Sequence, residues 1–561
     1  MNKINTTLTA LAAGLALVSS VAIAKGPGAG SAPYEVYASD QSNSVAGAAG
    51  RGVSGSYMHV WKGEDVEKQI SSHGKDIAPV TTYDINDIFP GDELVETGTG
   101  STLEELHNAG EAFGRLHGML PDPQQKYMNI NMFVTGGLAG GYVGIIDGAT
   151  KKAVALFQVT KTGHGRSLHM SFWNHDGSAL LLANLHGRVL ERINIDRDTD
   201  GNITGANYDL SASVNVGSNP VIVDPASAFN GAGMVPSGVT GSYAIADMGL
   251  TTPAGDARQG AERPANVIVC PIVTSTGNVY ITMGGGGLLV ADGNATPMNI
   301  VAEYDRETVN GAGCGGLEVD GNVFLNAGAS AAGSGATQST MTIYGIDDAA
   351  IAAGNGGKNL PAPTVLFKDA TNTATIGNTS GAASNGTGQL PGITTRRDAH
   401  GMAKTLDGRY IHQADRLQNV VEVVDTKTMQ HVGSYDLTSA NGQGKGTGPC
   451  AAFSVTDDAG LPGNDPAPDL MGTTPDGKHL VVATRGPIPV SVGHNAQGSC
   501  PGVGVIKLNN KGDSGKLITV LRTYNSVDDA PANAPGGHAY TGNEHSDPHG
   551  ASVRIRVEDA K

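Results

Sequence analysis

His400-Gly-Met-Ala-Lys-Thr-Leu-Asp-Gly-Arg-Tyr410 lies without a gap over His117-Gly-Met-Leu-Pro-Asp-Pro-Gln-Gln-Lys-Tyr127, and this pair decides how the chain is read. Both stretches continue into strand-like runs ending in aspartate, Val420-Val-Glu-Val-Val-Asp425 and Tyr142-Val-Gly-Ile-Ile-Asp147. Each then enters a further strand, Thr428 to Tyr435 and Ala153 to Val159. With the Asp-Gly turn as anchor, more copies appear. His169 to Leu180 carries Asp176-Gly177, and Asp469 to Leu480 carries Pro475-Asp476-Gly477. Gly313-Cys314-Gly315 precedes Asp320-Gly321, Cys270 precedes Thr276-Gly277, and a last copy starts at His549-Gly550.

The starts near 117, 169, 270, 314, 400, 469 and 549 each open a meander of short strands joined by Gly, Asp and Asn turns,. A meander of this kind cannot bury both faces alone, whereas a ring of them can. The last copy runs out after Ser552-Val-Arg-Ile-Arg-Val557, while Tyr34-Glu-Val-Tyr-Ala38 and Tyr57-Met-His-Val-Trp61 near the N-terminus are strands without a blade. Ala38-Ser-Asp-Gln-Ser-Asn43 also echoes Ala414-Asp-Arg-Leu-Gln-Asn419. The expected fold is therefore all-β, a seven-bladed β-propeller closed by N-terminal strands, which leaves no free radial edge. Long insertions are expected near 82–116 and 361–397, the first with a helical pattern from Leu103 to Leu116,.

Composition agrees. Of 561 residues, 81 are Gly, roughly twice the usual share, yet without a collagen period,. The net charge of -17 argues against a nucleic-acid partner, which needs a basic stripe,. No Walker or Rossmann fingerprint stands between a strand and a helix, and no G-x-S-x-G serine motif stands out,.

Lys3, the apolar run from Leu8 to Val21 and Ala22-Ile23-Ala24 read as a signal peptide, residues 1–24,. No later run is long and apolar enough to cross a membrane,. The expectation is one propeller domain over 25–561 in a periplasmic or secreted protein, without membrane insertion. In such a compartment Cys270, Cys314, Cys450 and Cys500 form an even set for disulfides,. All three pairings stay open, and 270–314 with 450–500 joins nearest neighbours.

His117, His169, His400 and His549 fall at one equivalent repeat position, and Asp469 takes it in a fifth blade. Equivalent propeller positions converge near the axis, so these side chains are candidate ligands of a shared metal. His186, His494 and His545 lie beside them as further candidates. His and carboxylate donors suit Cu, Zn, Fe or Ni rather than Ca or Mg. Asp547 is a candidate base toward water. Arg397, with Arg396, Arg115 and Arg166, flanks His positions and would offer an anion a local positive contact.

The His-Gly starts, Asp-Gly turns and V-x-V-V-D strand ends resemble the propeller superfamily of nitrous oxide reductase, whose hub histidines hold a copper cluster. This chain lacks that family's C-terminal cupredoxin domain and Cys-rich motif, so it is more similar to periplasmic copper thiocyanate dehydrogenase. The resemblance implies hub ligands at His117, His400 and His549, with His169 or His186 for the second blade and His494 beside them. It implies a copper-dependent oxidoreductase acting on a small thiocyanate-like anion, with a periplasmic electron acceptor such as a cytochrome c. The alternatives are a metal-dependent hydrolase or lactonase propeller, and a non-catalytic binding propeller.

Overall fold

The computed structural model describes residues 33–41, 56–72, 75–89, 115–133, 141–160, 166–216, 267–283, 287–304, 308–309, 312–327, 341–354, 360–369, 399–416, 419–437, 449–450, 466–486, 498, 500–525 and 546–559. Strands β1 (Tyr34–Asp40), β2 (Tyr57–Lys62) and β3 (Thr81–Asp84) come first, with helices α1 (Gly63–Ser71) and α2 (Ile85–Ile88). Six meanders follow. Blade one is β4 (Arg115–Pro121), β5 (Tyr127–Phe133), β6 (Tyr142–Asp147) and β7 (Ala153–Gln158). Blade two is β8 (Leu168–Trp173), β9 (Ala179–Asn184), β10 (Val189–Arg197) and β11 (Ile203–Tyr208), with the short β12 (Val214–Asn215) also paired to β10. Blade three is β13 (Ile268–Val273), β14 (Asn278–Met283), β15 (Leu288–Asp292) and β16 (Asn299–Tyr304). Blade four is β17 (Ala312–Val319), β18 (Asn322–Ala327), β19 (Met341–Asp347) and β20 (Thr364–Asp369), with helix α3 (Asp348–Ala353) before its last strand. Blades five and six are β21 (Ala399–Lys404), β22 (Tyr410–Asp415), β23 (Val420–Asp425), β24 (Gln430–Asp436), and β25 (Pro468–Thr473), β26 (His479–Thr484), β27 (Gly502–Asn509), β28 (Ser514–Arg522).

The final strand, β29 (Pro548–Ile555), pairs antiparallel with β1, with Tyr34 opposite Ile555 and Ser39 opposite Gly550. The seventh sheet is thus β29-β1-β2-β3, and the two ends of the chain close the ring inside one blade. The innermost strands β4, β8, β13, β17, β21, β25 and β29 each pack beside the next around the axis. This is the seven-bladed propeller expected from the repeat.

The strand period of two does the packing. In β9, Leu180 and Leu182 face blade one while Ala179, Leu181 and Ala183 face blade three,. Each of the seven blade interfaces holds its own apolar core in this way. The expected tight turns between the first and second strands place Gly177, Gly277, Gly321, Gly408 and Gly477 at positive φ, with Gln125 at that place in blade one,. Both disulfides, Cys270–Cys314 and Cys450–Cys500, join nearest neighbours.

Two expectations need correction. Residues 82–84 lie in β3, the outer strand of the closing blade, and Thr364–Asp369 is β20, so both insertions are shorter than their sequence bounds. Leu116 lies in β4 and not in a helix, because its alternation matches the innermost strand; 103–114 lie outside the described residues, as do 1–24. No helix among the described residues is long and apolar enough to cross a membrane.

His412, on β22, is buried between blades five and six. It meets the Tyr435 hydroxyl through Nδ1 (3.0 Å) and the Gly512 carbonyl through Nε2 (2.9 Å). Burial pushes its pKa from 6.5 down to about 4, against the pull of the Gly512 bond. Between those values the unfolded chain binds a proton that the folded chain refuses, so stability falls as pH drops through that window. His412→Gln is expected to shrink the stability lost between pH 7 and pH 5 by about 2 kcal/mol, read from urea unfolding at both pH values. An unchanged loss would show that His412 is protonated in the folded protein.

Candidate metal centre at the propeller hub

Each innermost strand slips register against its neighbour at the hub. The slip falls at His117 in β4 and spans His169 in β8, Cys270 in β13, Cys314 in β17, His400 in β21 and Asp469 in β25. In β29 the pairing skips from Pro548 to Gly550 and leaves out His549. A bulge re-aims the extra residue out of the ladder. The seven repeat positions therefore form a buried ring that reads His, His, Cys, Cys, His, Asp, His in blade order. The glycine after the histidine has a steric cause. A Cβ on Gly401 would collide with the Asp469 carbonyl, and one on Gly550 with the Ser39 hydroxyl.

The ring divides into three groups. His400, Asp469 and His549 come from three consecutive blades. Their Nε2 atoms are 3.2 Å apart, and Asp469 places Oδ1 3.3 Å from His400 Nε2 and Oδ2 3.8 Å from His549 Nε2. His549 Nδ1 donates to the His117 carbonyl (2.8 Å), which leaves its Nε2 as a lone pair facing the group,. Asp469 Oδ2 accepts from Arg416 (3.1 Å) and Arg485 (2.9 Å), while its buried Oδ1 has no hydrogen-bond partner among the described residues.

His117 and His169 form the second group, and their bonding differs. The Gln41 amide donates to His117 Nδ1 (2.7 Å), which puts the His117 proton on Nε2, facing His169 Nε2 at 3.2 Å. His169 also has a backbone hydrogen bond with Val269. The pair is thus a continuous hydrogen-bond chain, with the His117 ring stacked on His549 at 3.8 Å between centroids. The third group is the Cys270–Cys314 disulfide, whose sulfurs lie 3.8 and 3.5 Å from His169 Nδ1.

Burial lowers the pKa of His169 to about 3, and holds His400 and His549 well below the usual imidazole value. For His400 the Arg416 charge adds to this, and for His549 the neighbouring His400 does. All three are neutral bases, the form that binds a metal.

The structure brings together His117, His169, His400, Asp469 and His549 of the expected set. His186 stands half-buried in the turn between β9 and β10, close enough to His169 to lower its basicity but outside the ring. His494, His545 and Arg397 lie outside the described residues, as does Arg396. Arg115 and Arg166 are buried rather than surface charges. Asp547, the expected base toward water, is turned to Arg485. Both its oxygens accept from Arg485, at 2.7 Å from Nε and 2.6 Å from Nη2, so it anchors the guanidinium that in turn holds Asp469. Burial opposes the Arg485 charge, and Asp547 and Asp469 outweigh it.

Sequence reasoning missed Gln41, Arg416 and Arg485. Each directly follows the second strand of its blade, β1, β22 or β26. The signal was a second repeat position, offset from the histidine one, carrying a long polar side chain in three consecutive blades.

No family model matches the chain, and no curated protein matches it. Among solved structures, a protein from Lactobacillus plantarum is 10% identical with a TM-score of 0.45, covering 87% of this chain and 97% of its own. The periplasmic gluconolactonase of Pseudomonas aeruginosa is 10% identical with a TM-score of 0.41, covering 86% and 93%. The WD40 repeats of RRP9 are 8% identical with a TM-score of 0.37, covering 76% and 81%. These are not nitrous oxide reductases or thiocyanate dehydrogenases, and at such values they add nothing to the propeller read from the strand order. The resemblance drawn from sequence is supported as far as a seven-bladed propeller.

Asp547→Asn leaves Arg485 buried with half its countercharge. The expected loss is about 3–5 kcal/mol of unfolding free energy, measured by chemical denaturation of metal-free protein. A loss below about 1 kcal/mol would mean that the pair is hydrated rather than buried.

Proposed function

We propose that the hub is a transition-metal centre and that the protein is a metal-dependent hydrolase of a small carbonyl substrate such as an ester or lactone. One observation carries the reading. His400 Nε2, His549 Nε2 and Asp469 Oδ1 converge in a fully buried group, and Oδ1 has no hydrogen-bond partner among the described residues. The 3.2–3.3 Å spacings suit ligands about 2.0–2.1 Å from one ion in a tetrahedral site,. Two imidazoles with one carboxylate are the donor set of catalytic zinc sites and of open iron sites.

An ion held by His400, His549 and Asp469 would supply a bound water whose pKa is lowered to near 7. The chain's own residues supply the rest. The His117 carbonyl fixes the His549 tautomer. Arg416 and Arg485 hold Asp469 in place and set positive charge beside it, where negative charge would develop on a hydrolysed carbonyl,. The two disulfides support an exported protein, with residues 1–24 as its signal peptide,.

A copper oxidoreductase is the second reading, favoured by the additional nitrogens of His117 and His169 beside the trio. It requires a second ion at that pair, a thiocyanate-like anion and an electron acceptor such as a cytochrome c. The hydrogen bonds already satisfying His117 and His169 favour the single ion.

Elemental analysis of protein folded with both zinc and copper supplied decides between them. The expectation is one ion per chain, lost in His400→Ala and His549→Ala. Hydrolysis of small esters or lactones should fall by about a thousandfold with it. Two or more coppers per chain would establish the oxidoreductase instead, and no bound ion in any form would overturn both.

A further inference from the structure

The Cys270–Cys314 disulfide occupies two of the seven hub positions, whereas Cys450–Cys500 lies in the apolar core between blades five and six. The two bridges therefore differ in what surrounds them. Both hub sulfurs lie within 4 Å of His169 Nδ1, and the three donor atoms form a buried group able to surround one ion. Among the described residues, Cys450 and Cys500 belong to no such donor group.

We propose that Cys270 and Cys314 are a reducible ligand pair, and that in the reduced protein their thiolates and His169 hold a soft metal ion at a second hub site. The reaction balances with a dithiol as reductant. Its two electrons break the Cys270–Cys314 bond, its two protons pass to the cysteines, and it leaves as its own disulfide. Metal binding then releases those two protons, because only thiolates coordinate. Two thiolates and an imidazole suit Cu(I), Zn(II) or Cd(II) over hard cations.

The hydrogen-bond chain from Gln41 gives His169 a way to take part. Turning the Gln41 amide over presents Oε1, which has no hydrogen-bond partner among the described residues, to His117 Nδ1. The His117 proton then sits on Nδ1, and His169 donates from Nε2 to His117 Nε2. His169 Nδ1 becomes a lone pair facing the sulfurs. The exchange gives up the backbone bond to Val269 and gains a metal bond. The second site does not depend on the pocket of His400, Asp469 and His549 being filled.

The test uses the full exported chain and Cd(II) as probe. Protein is loaded before and after treatment with a dithiol that is then removed. Bound cadmium is counted by elemental analysis, and its thiolate charge-transfer absorption is recorded. Reduction is expected to add one Cd(II) per chain together with that absorption. Alkylation with iodoacetamide followed by peptide mapping should show Cys270 and Cys314 protected by cadmium and Cys450 and Cys500 unprotected. His169→Ala should weaken the added site at least tenfold while leaving the count of reducible thiols unchanged. No added cadmium on reduction, or protection that follows Cys450 and Cys500, would overturn the proposal. Mapping wild-type protein keeps the test independent of whether a cysteine variant folds. If the oxidised protein holds no ion, the hydrolase reading fails while this one is still decided by the reduced protein.

Discussion

Seven innermost strands pack side by side around one axis. Each strand answers with a bulge at the same depth, at or around His117, His169, Cys270, Cys314, His400, Asp469 and His549. The bulge throws one side chain out of the pairing pattern, and the crowding excludes a Cβ at Gly401 and Gly550,. Fold and site therefore share one cause. The geometry that closes the ring also gathers donor side chains that are up to several hundred residues apart in sequence.

Such a gathering is costly, because a buried polar group must find partners. The molecule meets the cost in two ways. The seven apolar cores between blades supply the burial that holds the ring shut, with β1 and β29 closing it across the chain's two ends. The polar groups are then paired outward from the hub. Asp469 is gripped by Arg416 and Arg485, Arg485 by Asp547, and the Asp547 backbone N–H donates to Asp40 (2.9 Å). Asp40 in turn accepts from Ser546 (2.7 Å). Asp40 ends β1, so the charge network is anchored in the strand that closes the propeller.

The blade count, the ring closure and five of the seven hub positions were legible because they repeat: His-Gly and Asp-Gly recur at fixed offsets, and each offset has a backbone cause. The supporting residues were less legible. Gln41, Arg416 and Arg485 repeat too, but with different side chains at a position that also reads as an ordinary strand end. Asp547 looked like a base because it sits two residues from His549; its bidentate pairing with Arg485 depends on a contact across 62 positions. The division of the histidines was not visible at all. His117 and His400 share the same motif, yet one is held by Gln41 from the closing blade and the other faces Asp469 from the next. Motif identity fixes where the backbone puts a side chain, and the neighbouring blade fixes what that side chain does.

The charges around the hub bear on the metal centre proposed for it. Among the described residues, Asp40, Asp469 and Asp547 are linked with Arg416 and Arg485 in one buried network. His59 stands 3.3 Å from Asp40 at the outer end, while the hub imidazoles, whose pKa values burial depresses, bring no charge of their own. Asp469 Oδ1, which has no hydrogen-bond partner among the described residues, lies at the inner end beside two imidazoles. Protonating His400 or His549 would set a positive charge beside Asp469, but burial and the nearby arginines oppose it. The metal ion proposed for the hub, held through nitrogen lone pairs, would neutralise the Asp469 carboxylate without asking either imidazole to take a proton.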